Sequence, residues 1–482
     1  MNADLQMVTP ELMLGILGFG LMVIDMLADP AEKRLVGWLG IAGLLITLVP
    51  SAVLLLSAPR FAFTNTYAVD PFAAFFKIIA ILSAVLVLMA AMEFFRSRPT
   101  AHEGDVYVLI VFMVLGLVLM AAAADLILLF LAIEWVSLIS YVLAGSLKAD
   151  PKSNEAGVKY FFYGAAASAV MLYGFTYLYG AGGTTNVYAL ARRLGDIEPG
   201  FLVVAVVLIL AGLGFKISLV PFHQWTPDVY EGAPTPITAF LSVGSKAAGF
   251  AALLRLFSIA LPPGAWVTVL AVLAACSMSV GNLIALSQQN IKRMLAYSSI
   301  AHAGYMLIGV VALSAGAPLP GSGIGALLYY LLAYTFTNTG AFAVAIAIEH
   351  VLGSDAIPDY AGLSQRAPGA AAAMAVFMLS LTGIPFTALF FGKLLLFGAA
   401  IQSGFLWLAV FGIVNSVVSL YYYVGVIRVM YQVAPPEGAG TLPESPLVRV
   451  LLLVTVAGTI VLGVFPQPFL TLVQTASAML KI

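Results

Sequence analysis

Charge is scarce in this chain: Asp, Glu, Lys and Arg make up 9% of its 482 residues, against about 25% in an average soluble domain. Hydrophobic residues account for 62%. That balance excludes an ordinary globular protein and points to a polytopic membrane protein. The formal net charge of −1 leaves no basic excess to neutralise phosphates, so nucleic acid is not expected as a partner. Cysteine is nearly absent. Cys276 alone can form no intrachain disulfide, no cysteine-ligated iron–sulfur cluster and no structural zinc site of the usual kind. No basic stretch precedes the first apolar run after MNADLQMVTP, so the first helix is read as retained rather than cleaved.

What the chain does have is apolar runs of about twenty residues, the length that crosses a bilayer core as a helix. Fourteen spans are expected, starting near Glu11, Val36, Phe72, Val106, Leu126, Glu155, Phe201, Pro236, Ala265, Met294, Ile324, Ala370, Leu406 and Leu447. Only 181–200 and 435–446 are longer polar connections, so no sizeable soluble domain fits. Odd-to-even connections carry Lys33, Arg34, Arg96, Arg98, Lys148, Lys152, Lys292, Arg293, Arg366 and Arg428. The other side carries Arg60, Arg192, Arg193 and Lys481. The positive-inside bias makes the first side cytoplasmic and places both termini on the outer side.

Two spans are broken from within. In GLGFKISLVPFHQWTPDVY, Pro221 removes a backbone donor and Pro227 stops the helix again; in LSLTGIPFTALFFGKL, Gly383 and Pro385 interrupt the run. Backbone freed in this way survives only where protein or a hydrated cavity lines it. The breaks lie five spans apart, each with a lysine nearby: Lys216 five residues before Pro221, Lys393 eight after Pro385. Paired breaks at matching positions are the sequence mark of inverted repeats in transporters. The expected division is a three-helix segment over 1–105, one five-helix repeat over 106–262, its inverted counterpart over 263–434, and a last helix in 435–482.

Ionisable groups inside these runs need a reason, since each costs roughly 2.5–3.5 kcal/mol at a bilayer centre. Glu134, Lys216, Lys246 and Lys393 lie deep, with Lys159 nearer a helix end. Proton or ion movement is the first reading. A lysine whose carboxylate partner approaches and withdraws swings across neutral pH, and Lys216 is the obvious partner for Glu134. Static ion pairing, or a permanently neutral lysine, is the rival for each. His302 suits a shuttle between Lys246 and Lys393 or a satisfied core role. His223 is a second relay candidate or a cap for carbonyls freed at Pro221. Lys159 either takes part or snorkels to the cytoplasmic face. Lys77 is read as snorkelling outward, outside the relay. Thr335, Thr337, Asn338 and Thr339 give one helix a face that holds water or bonds a neighbouring helix.

The runs EWVSLISYVL, SNEAGVKYFFYGAAASAVMLYG, GFKISLVPFHQWTPDVYEGAPTPITAFLSVGSK, NIKRMLAYSSIAHAGYM and GIPFTALFFGKL resemble, in order and spacing, the antiporter-like proton-pumping subunits of respiratory complex I. The likeness covers roughly 106–431. EAGVKYF and the chain's small size are most similar to the subunit-N branch in bacterial NADH:quinone oxidoreductase. The resemblance implies an all-α fold and matches Glu134, Lys216, Lys246, His302 and Lys393 to the family's relay residues. It implies partners among the other membrane-arm subunits, alongside lipid, protons and internal waters. No cofactor is then expected on this chain; NADH, FMN, Fe–S clusters and quinone belong elsewhere in the complex. Subunits of multisubunit Na⁺/H⁺ antiporters are the alternative, and a static membrane scaffold is a third class.

Overall fold

The computed structural model describes residues 3–29, 32–96, 98, 100, 102–195, 197–315, 323–436, 440–442 and 444–477; Lys481, counted in the charge bias, lies outside them. In chain order come α1 (Thr9–Leu27), α2 (Lys33–Leu54), a hairpin of β1 (Arg60–Ala62) and β2 (Tyr67–Val69), α3 (Pro71–Arg96), α4 (Glu103–Ala122), α5 (Leu126–Ala144) and α6 (Pro151–Gly182). There follow α7 (Pro199–Lys216), α8 (Trp225–Gly232), α9 (Thr235–Phe240), a π-turn (Leu241–Ser245) and α10 (Lys246–Ile259). The long helices that follow are α11 (Val267–Ala285), α12 (Ile291–Val311), α13 (Gly323–Leu352), α14 (Pro368–Thr382), α15 (Ala388–Gln402), α16 (Leu406–Gln432) and α17 (Pro446–Val464), with the shorter Gln467–Ser477 last. Among the described residues twelve helices are long and apolar enough to cross a membrane. The two broken units, α7–α8 and α14–α15, complete the fourteen crossings expected.

Helix starts follow local chemistry. Asp125 accepts from the amides of Ile127 and Leu128, Asp150 from that of Lys152 beside Pro151, and Asn290 from those of Lys292 and Arg293. Each satisfies amides that the first turn leaves without a partner. Burial separates lipid-facing helices from central ones. In α6 only 28% of the apolar window is buried; in the unit 235–259 all of it is. Gly244, Ala247, Ala248, Gly249, Ala251 and Ala252 explain that enclosure, because small side chains let neighbouring backbones approach closely.

The breaks take the form the prolines dictate. After Lys216, Ser218 adopts φ 64° and Val220–Pro221 is cis; after Thr382, Gly383 takes φ 92° and Phe386 φ 68°. Gly383 tolerates that angle because it has no Cβ.

One expectation is overturned. Lys77 does not snorkel: it is fully buried, with Nζ 2.9 Å from Glu11 Oε1 of α1. Tyr67 donates to the same Glu11 oxygen at 2.5 Å. The counter-charge comes from another helix, a long-range pairing that spacing along the chain does not show.

Candidate proton relay

The first broken helix ends on Lys216, whose position in the last turn suits a cation, since carbonyls there carry the negative end of the helix dipole. Its side chain is buried and Nζ donates to Ser137 Oγ at 3.2 Å. Ser137 lies one turn from Glu134 on α5, on the same helix face. Glu134 is within electrostatic range of Lys216, yet one carboxylate oxygen, Oε1, is buried without a hydrogen-bond partner. The two charges face each other with Ser137 at hand and no direct bond between them.

Lys216 also leans on the next unit. A Cβ at Gly249 of α10 would stand 2.5 Å from Ile217 Cγ2 and 3.4 Å from Lys216 Cγ. Glycine there lets α7 and α10 touch, three residues past Lys246. The Lys246 ammonium points the other way, into α12, donating to Ser299 O at 2.7 Å and Ser299 Oγ at 2.6 Å. It opens α10 directly after the π-turn, a helix irregularity common at functional positions. Asn338 Nδ2 donates to Ser242 Oγ within that turn at 2.7 Å.

From Ser299 a polar stripe runs along α12. Ser299, His302 and Tyr305 follow at intervals of three and share a face. His302 is buried, with Nδ1 2.6 Å from Tyr330 Oη and Nε2 3.0 Å from Tyr423 Oη. Tyr423 Oη in turn lies 2.5 Å from Ser298 Oγ. Asn282 donates to Tyr305 Oη at 3.1 Å and accepts from Tyr422 at 2.9 Å. Lys393 closes the line: its Nζ sits 4.7 Å from the centre of the Tyr305 ring. It donates to Leu381 O at 3.1 Å and Thr382 O at 2.8 Å, the last carbonyls of α14 before the break.

The structure thus gathers Lys216, Lys246, His302 and Lys393 in the interior, with Glu134 at the edge of the same row. The partners that hydrogen-bond the three lysine ammonium groups are all neutral. Such sites exchange protons more readily than locked ion pairs do, because no directly bonded carboxylate holds the ammonium form. Lys159 stands apart. It pairs with Glu155 at 2.6 Å and Asp228 at 2.7 Å, in a pocket of about 130 Å³ shared with Lys152, Glu231 and Arg293. His223 lies in the first break, and its Nδ1 makes no hydrogen bond. On α13, Thr337 bonds Ser380 at 3.1 Å and Thr459 at 3.3 Å, while Asn338 Oδ1 and Thr339 Oγ1 are buried without partners.

Sequence reading missed Ser137, Ser299, Tyr330, Tyr423, Asn282 and the π-turn. Two carried a signal: Ser137 stands one turn after Glu134 in EWVS, and Ser299 one turn before His302 in YSSIAHAGY. The others enter from distant segments.

Residues 123–419 match the family model described as NADH:quinone oxidoreductase/Mrp antiporter, TM. The chain is 43% identical to NADH-quinone oxidoreductase subunit N 2 of Chloroherpeton thalassium, covering 96% of this chain and 93% of that one. It is 42% identical to NADH-quinone oxidoreductase subunit N of Trichlorobacter lovleyi, over 98% and 97%. Among solved structures, a chain of respiratory complex I from Thermus thermophilus with bound Aureothin superposes with a TM-score of 0.80 at 36% identity, over 96% of this chain and 99% of that one. Sequence and fold agree: the chain belongs to the NADH:quinone oxidoreductase/Mrp antiporter transmembrane family, on the subunit-N branch.

Proposed function

We propose that this chain is a proton-translocating membrane subunit of NADH:quinone oxidoreductase, and that Glu134, Lys216, Lys246, His302 and Lys393 carry the proton. It works without redox chemistry of its own and only within the complex. NADH, FMN, iron–sulfur clusters and quinone are handled by other subunits, whose reaction supplies the energy. Its partners are the neighbouring membrane-arm subunits and the lipid of a bacterial inner membrane, with both termini periplasmic.

The observation that carries this reading is the stripe on α12. Lys246 reaches it at Ser299 and Lys393 reaches it at Tyr305, with His302 between. Six residues of α-helix span about 9 Å, a distance one or two bridging waters and hydroxyls cover. A change in the Glu134–Lys216 separation shifts the proton affinity of Lys216 and starts transfer toward Lys246, the α12 stripe and Lys393. The repeats over 106–262 and 263–434 then act as one relay, each contributing a broken helix and its lysine, with 1–105 and 435–482 as flanking segments. Lys159 and His223 are secondary members near the first break.

Lys216→Ala in the assembled complex tests this. The expectation is strongly reduced proton uptake into vesicles and reduced coupled NADH:quinone activity, at unchanged complex content. Full pumping by that variant overturns the relay.

A further inference from the structure

Arg255 is the largest charged side chain that is fully enclosed, and the relay described above does not use it. All three guanidinium nitrogens are engaged. Nη1 donates to Asp70 Oδ2 at 2.8 Å and to Tyr188 Oη at 2.8 Å, Nη2 to Asp70 Oδ1 at 3.0 Å, and Nε to Ala121 O at 3.1 Å. The group also lies 5.1 Å from the centre of the Phe72 ring. Asp70 is fixed in turn, since Oδ1 accepts the Ala73 amide at 2.7 Å at the start of α3. One side chain of α10 therefore bonds the start of α3, the last turn of α4 and the short helix Val187–Arg193.

Arg255 shares one uninterrupted helix with Lys246. Nine residues separate them, about 13.5 Å along the axis and roughly half a turn around it. The two side chains leave α10 on opposite faces: Arg255 toward α3 and α4, Lys246 toward α12. Before Lys246 the helix is irregular, since the π-turn Leu241–Ser245 sits between α9 and α10. A π-turn inserts an extra residue and offsets the register between the two, whereas Arg255 bonds from the regular stretch that carries Lys246. A slide or rotation of α10 would strain every bond of the Arg255 fork together, whereas the bidentate Arg–carboxylate geometry tolerates little change.

We propose that Arg255, clamped on Asp70, is a positioning residue for Lys246: it fixes the rotation and depth of α10 and so aims the Lys246 ammonium at Ser299. The inference rests on the relay reading and adds to it the part that sets its geometry. It also gives the segment 1–105 a role in proton transfer, since Asp70 comes from there.

The test is a double-mutant cycle in the assembled complex, measuring proton uptake into vesicles per NADH oxidised at matched complex content. Arg255→Gln should lower uptake about 10- to 100-fold, the scale of an ångström-sized misplacement. Arg255→Lys should fall in between, since lysine keeps the charge but not the fork. The deciding measurement pairs Arg255→Gln with Ser299→Ala. If Arg255 acts through the Lys246–Ser299 contact, the double variant is little worse than the poorer single one. If Arg255 is only a structural brace, the two losses multiply, as independent sites do, and the proposal is overturned. Should Arg255→Gln not assemble, Tyr188→Phe removes one bond of the fork and enters the same cycle with a smaller loss. Lys246→Ala serves as the control. Wild-type pumping there sinks the relay itself, whereas loss there with multiplying Arg255 and Ser299 effects sinks only the positioning role.

Discussion

Lys246 and Lys393 come from units far apart in the chain and address one face of the same helix, Lys246 at Ser299 and Lys393 at Tyr305. His302 stands halfway, its two ring nitrogens taken up by tyrosine hydroxyls from α13 and α16. In the proposed relay, proton movement between the lysines depends on α12 more than on any direct lysine–lysine approach.

Lys393 is expected to be intolerant of arginine. Guanidinium keeps the positive charge and the donors toward Leu381 and Thr382 but stays charged in proteins. Lys393→Arg and Lys393→Ala should both lose ~100-fold in proton flux, the low end of what a positioned acid–base group contributes. Lys393→His, which titrates, should retain more. Proton uptake into vesicles at matched complex content ranks the three, and an arginine variant that pumps like wild type returns Lys393 to a structural role.

In the proposed relay, Glu134 acts on Lys216 by charge without a direct bond. Glu134→Gln should then lower coupled activity about tenfold, equivalent to ~1.4 kcal/mol, while Glu134→Asp keeps most of it. Equal behaviour of the two variants in NADH:quinone turnover would show that charge at this position is irrelevant.

Gly249 tests the contact between α7 and α10. Alanine there meets Ile217 at 2.5 Å, so the helices must part. Overpacking of this kind costs roughly 1–3 kcal/mol, and the shift falls on Lys216 itself. Gly249→Ala should lower the thermal stability of the complex and its proton uptake together. A stable variant with wild-type uptake contradicts the close approach.

Lys77 and Glu11 give a stability prediction outside the relay. Lys77→Met leaves a buried carboxylate unpaired, a loss of roughly 3–5 kcal/mol. Lys77→Met combined with Glu11→Gln should recover much of it, because both charges are gone. Thermal unfolding and complex yield of the two variants check this; a double variant as unstable as the single one argues against the pair.

The buried lysines were legible because a charge inside twenty apolar residues stands out, and the breaks because proline and glycine carry their backbone consequences with them. The fourteen crossings followed from run length alone. Lys77 was misread for want of its partner, which lies 66 residues away in Glu11. Arg255 is a different lapse. It is one of two charges in KAAGFAALLRLFSI, as conspicuous as Lys246, and the same argument applied to it predicts a buried partner. Its identity as Asp70 required the fold. Tyr330 and Tyr423 could not be picked from 20 tyrosines, since only packing tells a tyrosine that bonds His302 from one that faces lipid.

In the proposed relay, the carbonyl ends of α14 have a consequence for how Lys393 loads and empties. A carboxylate partner would hold the ammonium with a full charge and would need to be moved or protonated before release. Two carbonyl oxygens and a helix dipole offer about half a charge that never leaves and never titrates. Such a seat receives and surrenders a proton with no second group changing its state. The direction of transfer is then set by whatever alters the surroundings of Lys393, and the seat itself is the same at the beginning and the end of each cycle.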